Sequence, residues 1–72
     1  MGWVKKSRNR WKLEKPSLEG EASLRQDEGG YKIFLKVTDN EFGMVLRDTE
    51  EFFESRKKGL EKLKKEMEEF AG

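Results

Sequence analysis

Apolar and polar residues alternate one by one along much of this chain, and the alternation lapses at a few acid-, glycine- or proline-containing breaks. In Leu18–Gln26, Leu18, Gly20, Ala22 and Leu24 fall on one side and Glu19, Glu21, Ser23 and Arg25 on the other, which is the signature of a half-buried strand. Asp27-Glu28-Gly29-Gly30 follows as a turn whose glycines can take positive φ. The alternation resumes in Tyr31–Thr38, with Tyr31, Ile33, Leu35 and Val37 inward and Lys32, Phe34, Lys36 and Thr38 outward, so the two runs read as a hairpin. Asp39-Asn40-Glu41 makes a second turn. Phe42, Met44 and Leu46 then alternate with Gly43, Val45 and Arg47 as a third strand. Upstream, Arg10–Lys15 is a strand with Trp11 and Leu13 on one face, separated from the next by Pro16-Ser17. Trp3–Ser7 reads as a basic arm or a further edge strand.

From Asp48 the period changes. Asp48 as N-cap with Glu51 three residues on resembles a capping box, and Glu50 suits the positive end of a helix dipole. Phe53, Leu60 and Met67 form one seven-residue series and Arg56, Leu63 and Phe70 another, interleaved like a and d positions. Glu54–Lys58, Glu61–Lys65 and Lys62–Glu66 are opposite charges four apart, and Gly59 is the weak point, costing about 1 kcal/mol against alanine. The expected fold is α+β: a three- to four-stranded antiparallel β-sheet (residues 10–47) followed by one long C-terminal helix (48–70), in one domain. Its core is expected to hold Leu24, Ile33, Leu35, Val37, Met44, Leu46, Phe53 and Leu60. A helix of about 22 residues spans roughly 33 Å, whereas four strands cover only roughly 15–20 Å. Leu63, Met67 and Phe70 would overhang such a sheet, which predicts a homodimer in which a second helix covers them.

Composition narrows the chemistry. Only 33% of the 72 residues are apolar, and there is neither cysteine nor histidine, which excludes disulfides, thiolate zinc sites, and Cys- or His-based catalysis. Glu50-Glu51 and Glu68-Glu69 point in different directions on a helix, and Gly29-Gly30 precedes a strand rather than a helix N-terminus, so neither an acid/base pair nor a phosphate loop is present. No metal or other cofactor and no catalysis are expected. The absence of a long apolar run predicts an intracellular, cytoplasmic protein without a membrane partner. Charged residues make up 43% of the chain, rich in Lys and Glu, a balance typical of hyperthermophiles.

The net charge of +1 hides an asymmetry. Residues 1–15 carry Lys5, Lys6, Arg8, Arg10, Lys12 and Lys15 against Glu14 alone, a local charge of +5, and the remainder carries ten basic and fourteen acidic residues. Trp3 and Trp11 bracket these cations. Phe34 stands between Lys32 and Lys36 on the outward side of its strand, with Arg47 on a neighbouring one. Aromatic rings among cations suit single-stranded nucleic acid, the rings stacking bases and the cations meeting phosphates. The nucleic-acid-binding candidates are therefore Trp3, Lys5, Lys6, Arg8, Arg10, Trp11, Lys12, Lys32, Phe34, Lys36 and Arg47. Both tryptophans serve equally well as core residues, and the other function these features allow is a protein-interaction or regulatory module acting through the helix or a sheet edge. Gly30–Val37 superficially matches the aromatic strand of an RNA-recognition motif, but Lys32 and Ile33 occupy its small and aromatic positions, and no helix separates the first two strands.

Phe42-Gly43-Met44-Val45-Leu46 followed by Thr49-Glu50-Glu51-Phe52 is similar to the glycine-hydrophobic-x-Leu strand and Glu-rich helix start of the transcriptional positive coactivator family of single-stranded DNA-binding proteins. The resemblance covers the C-terminal half; the family's basic loop before that strand is replaced by Asp39-Asn40-Glu41. It implies a basic N-terminus, four antiparallel strands and a dimerising C-terminal helix. The sheet-plus-helix domain of integrase N-termini offers a second analogy, of architecture alone.

Overall fold

The structure, a computed structural model, describes residues 2–70. It holds five strands, β1 (Trp3–Ser7), β2 (Arg10–Glu14), β3 (Leu18–Asp27), β4 (Gly30–Asp39) and β5 (Met44–Phe53), then a single helix α1 (Arg56–Glu68). The strands form one antiparallel meander in the order β1-β2-β3-β4-β5. Trp3–Ser7 is thus an edge strand, paired to β2 with a bulge between Lys5 and Ser7, and the strand count is five rather than three or four. The expected β3–β4 hairpin forms with Asp27 opposite Gly30, and Gly29, at φ 78°, supplies the one positive φ of its loop. Gly30 is glycine for a different reason: a Cβ there would lie 2.5 Å from the Phe53 carbonyl oxygen.

One face of the sheet carries the helix. Leu13, Ala22, Leu24, Ile33, Leu35 and Val37 from the strands meet Leu63 and Met67 from α1, and Trp3, Trp11, Leu18, Tyr31, Phe53, Leu60 and Phe70 pack around them. Each fully buried Leu or Ile contributes about 1.5–3 kcal/mol, so this short roster leaves little surplus over chain entropy. Gly59 is buried where the helix backbone passes over Phe53 and Ile33. At the far end of the helix the Trp3 indole Nε1 donates to the Met67 carbonyl at 2.7 Å, satisfying a carbonyl of the last turn. The Trp3 ring lies over Gly20, where a Cβ would come within 3.2 Å of it.

Three sequence expectations are corrected here. The helix begins at Arg56, not Asp48: Ser55 is its N-cap, its hydroxyl accepting from the Lys58 amide at 3.4 Å. Residues 48–53 continue β5, because the ten-residue β4 is paired from Tyr31 through Asp39 and offers a ladder that a helix would leave unused. Opposite Val37 and Thr38 of β4, β5 has an extra residue, Leu46, left without a partner, and this one-residue insertion changes which residues face the helix. Arg47, Thr49, Glu51 and Phe53 share register with inward residues, while Met44 and Leu46, expected in the core, are 59% and 45% exposed. Finally, thirteen helical residues span about 20 Å, close to the roughly 19 Å width of five strands. The overhang disappears: Leu63 and Met67 are buried on the chain's own sheet and the half-buried Phe70 packs against that core, so the geometric reason for expecting a second helix over them falls away.

Candidate functional site

Two surfaces of the sheet stand out after the core is assigned: the face opposite the helix, and the outer edge of β5. Cross-strand register defines the open face in rungs. Lys12, Glu21, Lys36 and Asp48 form one, alternating in charge from strand to strand; Arg10, Ser23, Phe34 and Glu50 form the next; Arg25, Lys32 and Phe52 follow, and Glu14, Glu19, Thr38 and Val45 close the other end. A shallow trough of about 380 Å³ opens there, lined by Phe34 together with Arg10, Arg25, Lys36, Glu21 and Asp48.

The predicted nucleic-acid set divides over this frame. Arg10, Lys12, Lys32, Phe34 and Lys36 do come together on the open face. Their charge is not left bare: Glu21, Asp48 and Glu50 share their rungs, Glu14 and Glu19 stand in the rung beyond Lys12, and Lys32 is bound to Glu50 at 3.0 Å. The Phe34 ring is half-buried and already carries the Arg25 guanidinium 5.1 Å from its centroid. Trp3 and Trp11 lie on the opposite, helix-bearing face and pack against the core, so they cannot stack a base alongside Phe34. Lys5 stands over Trp11 at 5.9 Å, Lys6 pairs with Glu14 at 3.7 Å, and Arg8 is exposed in the β1–β2 turn.

Arg47 is spoken for as well. Its Nη1 donates to Glu66 Oε1 at 2.9 Å and its Nη2 to Glu69 Oε1 at 2.7 Å, while its guanidinium covers the Phe70 ring. The Thr49 hydroxyl donates to the same Glu66 oxygen at 2.9 Å, and Lys62 lies 3.6 Å from the other. Burial pushes the Glu66 carboxyl up, but the hydrogen bonds from Arg47 and Thr49, aided by the charges of Lys62 and Arg47, outweigh it and hold the group below the usual carboxylate range. The hydrogen bonds that Arg47 donates to Glu69 and Glu66 in turn raise its guanidinium further above its already high value. This cluster fastens β5 to the helix and leaves β5 without an uncommitted cation.

The β5 edge differs from the β1 edge. β1 has five residues, two lysines and a bulge, the usual means of keeping a strand edge unpaired. β5 has ten residues and neither lysine nor proline, and no backbone bond beyond those to β4 involves it among the described residues. Beside it lie Phe42, Met44, Val45 and Leu46, which are 75%, 59%, 52% and 45% exposed; among the described residues only Val4 and Phe52 are other large apolar side chains so open. Sequence reading missed this surface because Asp48–Glu51 resembles a helix start. The usable signals were the alternation of Asp48, Glu50 and Phe52 with Thr49, Glu51 and Phe53, and a second cap candidate in Ser55.

The molecule is therefore a five-stranded antiparallel meander with one helix across one face, an open, charge-alternating second face and one unguarded edge. No protein-family model, no curated protein and no solved structure matches the chain. Thr49–Phe52, compared above with a family's helix start, lies inside β5. Among the described residues, no helix is long and apolar enough to cross a membrane.

Proposed function

We propose that this protein is a protein-interaction module that accepts an extended segment of a partner along the free edge of β5. The observation that carries the reading is the run of exposed Phe42, Met44, Val45 and Leu46 beside a ten-residue strand with no outer partner. Contiguous exposed apolar side chains mark contact surfaces, and an unpaired strand edge offers a ladder of backbone donors and acceptors. On the open face Arg10, Lys12, Arg25, Lys32 and Lys36 are interspersed with Glu14, Glu19, Glu21, Asp48 and Glu50, so the face carries no excess of positive charge that would favour a polyanion.

A second reading, binding of single-stranded nucleic acid on the open face, is favoured by the trough at Phe34 with Arg10, Arg25 and Lys36 on its rim. In-cell photo-crosslinking separates the two. A crosslinking residue at position 45 should capture protein, and one at position 34 should capture little. Nucleic acid captured at 34, with nothing at 45, would reverse the order of the two readings.

A further inference from the structure

We infer that the partner segment accepted by β5 is basic: an extended stretch of a different protein that sets apolar side chains against Met44–Leu46 and Lys or Arg against Asp48, Glu50 and Glu51. The inference rests on the strand-addition reading above and goes further by fixing the chemistry of the occupant. After the apolar end, β5 carries three exposed carboxylates in four positions. Glu50 is paired with Lys32 and Asp48 stands in register with Lys36, but neither Asp48 nor Glu51 has an ion pair within 4.0 Å among the described residues, and Glu51 lies on the other face, away from both lysines. The strand's single cation, Arg47, is held by Glu66 and Glu69 and cannot neutralise them.

Charge also argues against a second copy as the occupant. Two β5 strands laid antiparallel in full overlap set Asp48 opposite Thr49, Glu50 opposite Arg47 and Glu51 opposite Leu46, and since Arg47 is held by Glu66 and Glu69, a second copy brings these carboxylates no uncommitted cation. The β1 edge of another molecule has the right sign, but it spans five residues and is interrupted by its bulge at Lys6. A foreign strand with cations at alternate positions sets them against Asp48 and Glu50 on the open face of the extended sheet, and a further cation at an intervening position meets Glu51 on the other face.

The test uses the full chain and two synthetic ten-residue peptides. Both begin with Val-Thr-Val; one continues with Lys alternating with Thr, and the other has Glu at each Lys position. Binding is followed by amide exchange of β5 and by fluorescence anisotropy. The Lys peptide should protect β5 amides and bind at least tenfold tighter than the Glu peptide at low salt. The preference should shrink as salt screens the pairs and reverse in the Asp48→Lys/Glu50→Lys/Glu51→Lys variant, with folding monitored by circular dichroism. Equal protection of β5 by both peptides would overturn the basic-partner inference while leaving strand addition standing. Failure of both peptides to protect β5 would overturn strand addition itself, as would a fluorescent oligothymidine that binds and shifts residues around Phe34 instead. Concentration-dependent dimerisation of the protein alone, with β5 protected, would assign the edge to a second copy and overturn the inference.

Discussion

At the scale of single residues, Glu66 shows how a buried charge can organise a small protein. Its side chain is only 7% exposed, and its two oxygens take bonds or ion pairs from Arg47, Thr49 and Lys62 on two elements. Removing one partner of such a cluster costs more than the cluster contributes, because the survivors stay partly desolvated. Glu66→Gln should destabilise the protein by about 1–3 kcal/mol in urea unfolding at neutral pH. Since the folded carboxyl lies below its ordinary value, its stabilisation is fully present above about pH 4.3 and is lost as pH falls through the folded value. The gap between wild type and Glu66→Gln should therefore close on acidification; a gap that widens would contradict the assignment. Gly59 makes the opposite kind of prediction. A Cβ there would meet Phe53 at 3.4 Å and Ile33 at 3.5 Å, ordinary contact distances. Gly59→Ala should stabilise by about 0.5–1 kcal/mol through helix propensity, seen as a higher melting temperature, whereas Gly59→Leu has no room and should lower it.

At the scale of elements, the packing of α1 predicts how its apolar stripe responds to mutation. Leu63→Ala should cost about 2–5 kcal/mol, with a urea midpoint that does not change with protein concentration. A midpoint that moves with concentration would mean the side chain is covered by another subunit. This stripe also marks how far the sequence could be read. The β3–β4 hairpin was legible because both strands alternate strictly, so Leu24, Ile33, Leu35 and Val37 point inward and Lys32, Phe34 and Lys36 outward as expected. The second half of β5 was not, because Asp-Thr-Glu-Glu is acidic enough for a helix's first turn, and local residue preference says nothing about an unpaired ten-residue neighbour. The bulge at Leu46 was equally hidden: apolar spacing across Met44–Leu46 reads as a regular strand, and only pairing reveals the extra residue. Trp3 and Trp11 were ambiguous in sequence for a simpler reason, since one ring type serves both core and stacking surface.

At the scale of the whole molecule, the helix closes one face of the sheet while the charge-alternating face and the outer edge of β5 stay open. The same clasp that completes the helix has a topological consequence. Trp3 and Met67 are 64 residues apart in sequence yet joined by one hydrogen bond, so the described chain is close to a ring. A ring can be opened elsewhere. Cutting between Glu28 and Gly29 and bridging residues 70 and 2 with a short flexible linker would give the order β4-β5-α1-β1-β2-β3, with every strand pairing of the parent still available. Such a permutant should show the parent's circular dichroism spectrum and the same pattern of slowly exchanging core amides, at somewhat lower stability. If it does, the order in which these six elements leave the ribosome is incidental to where they come to rest.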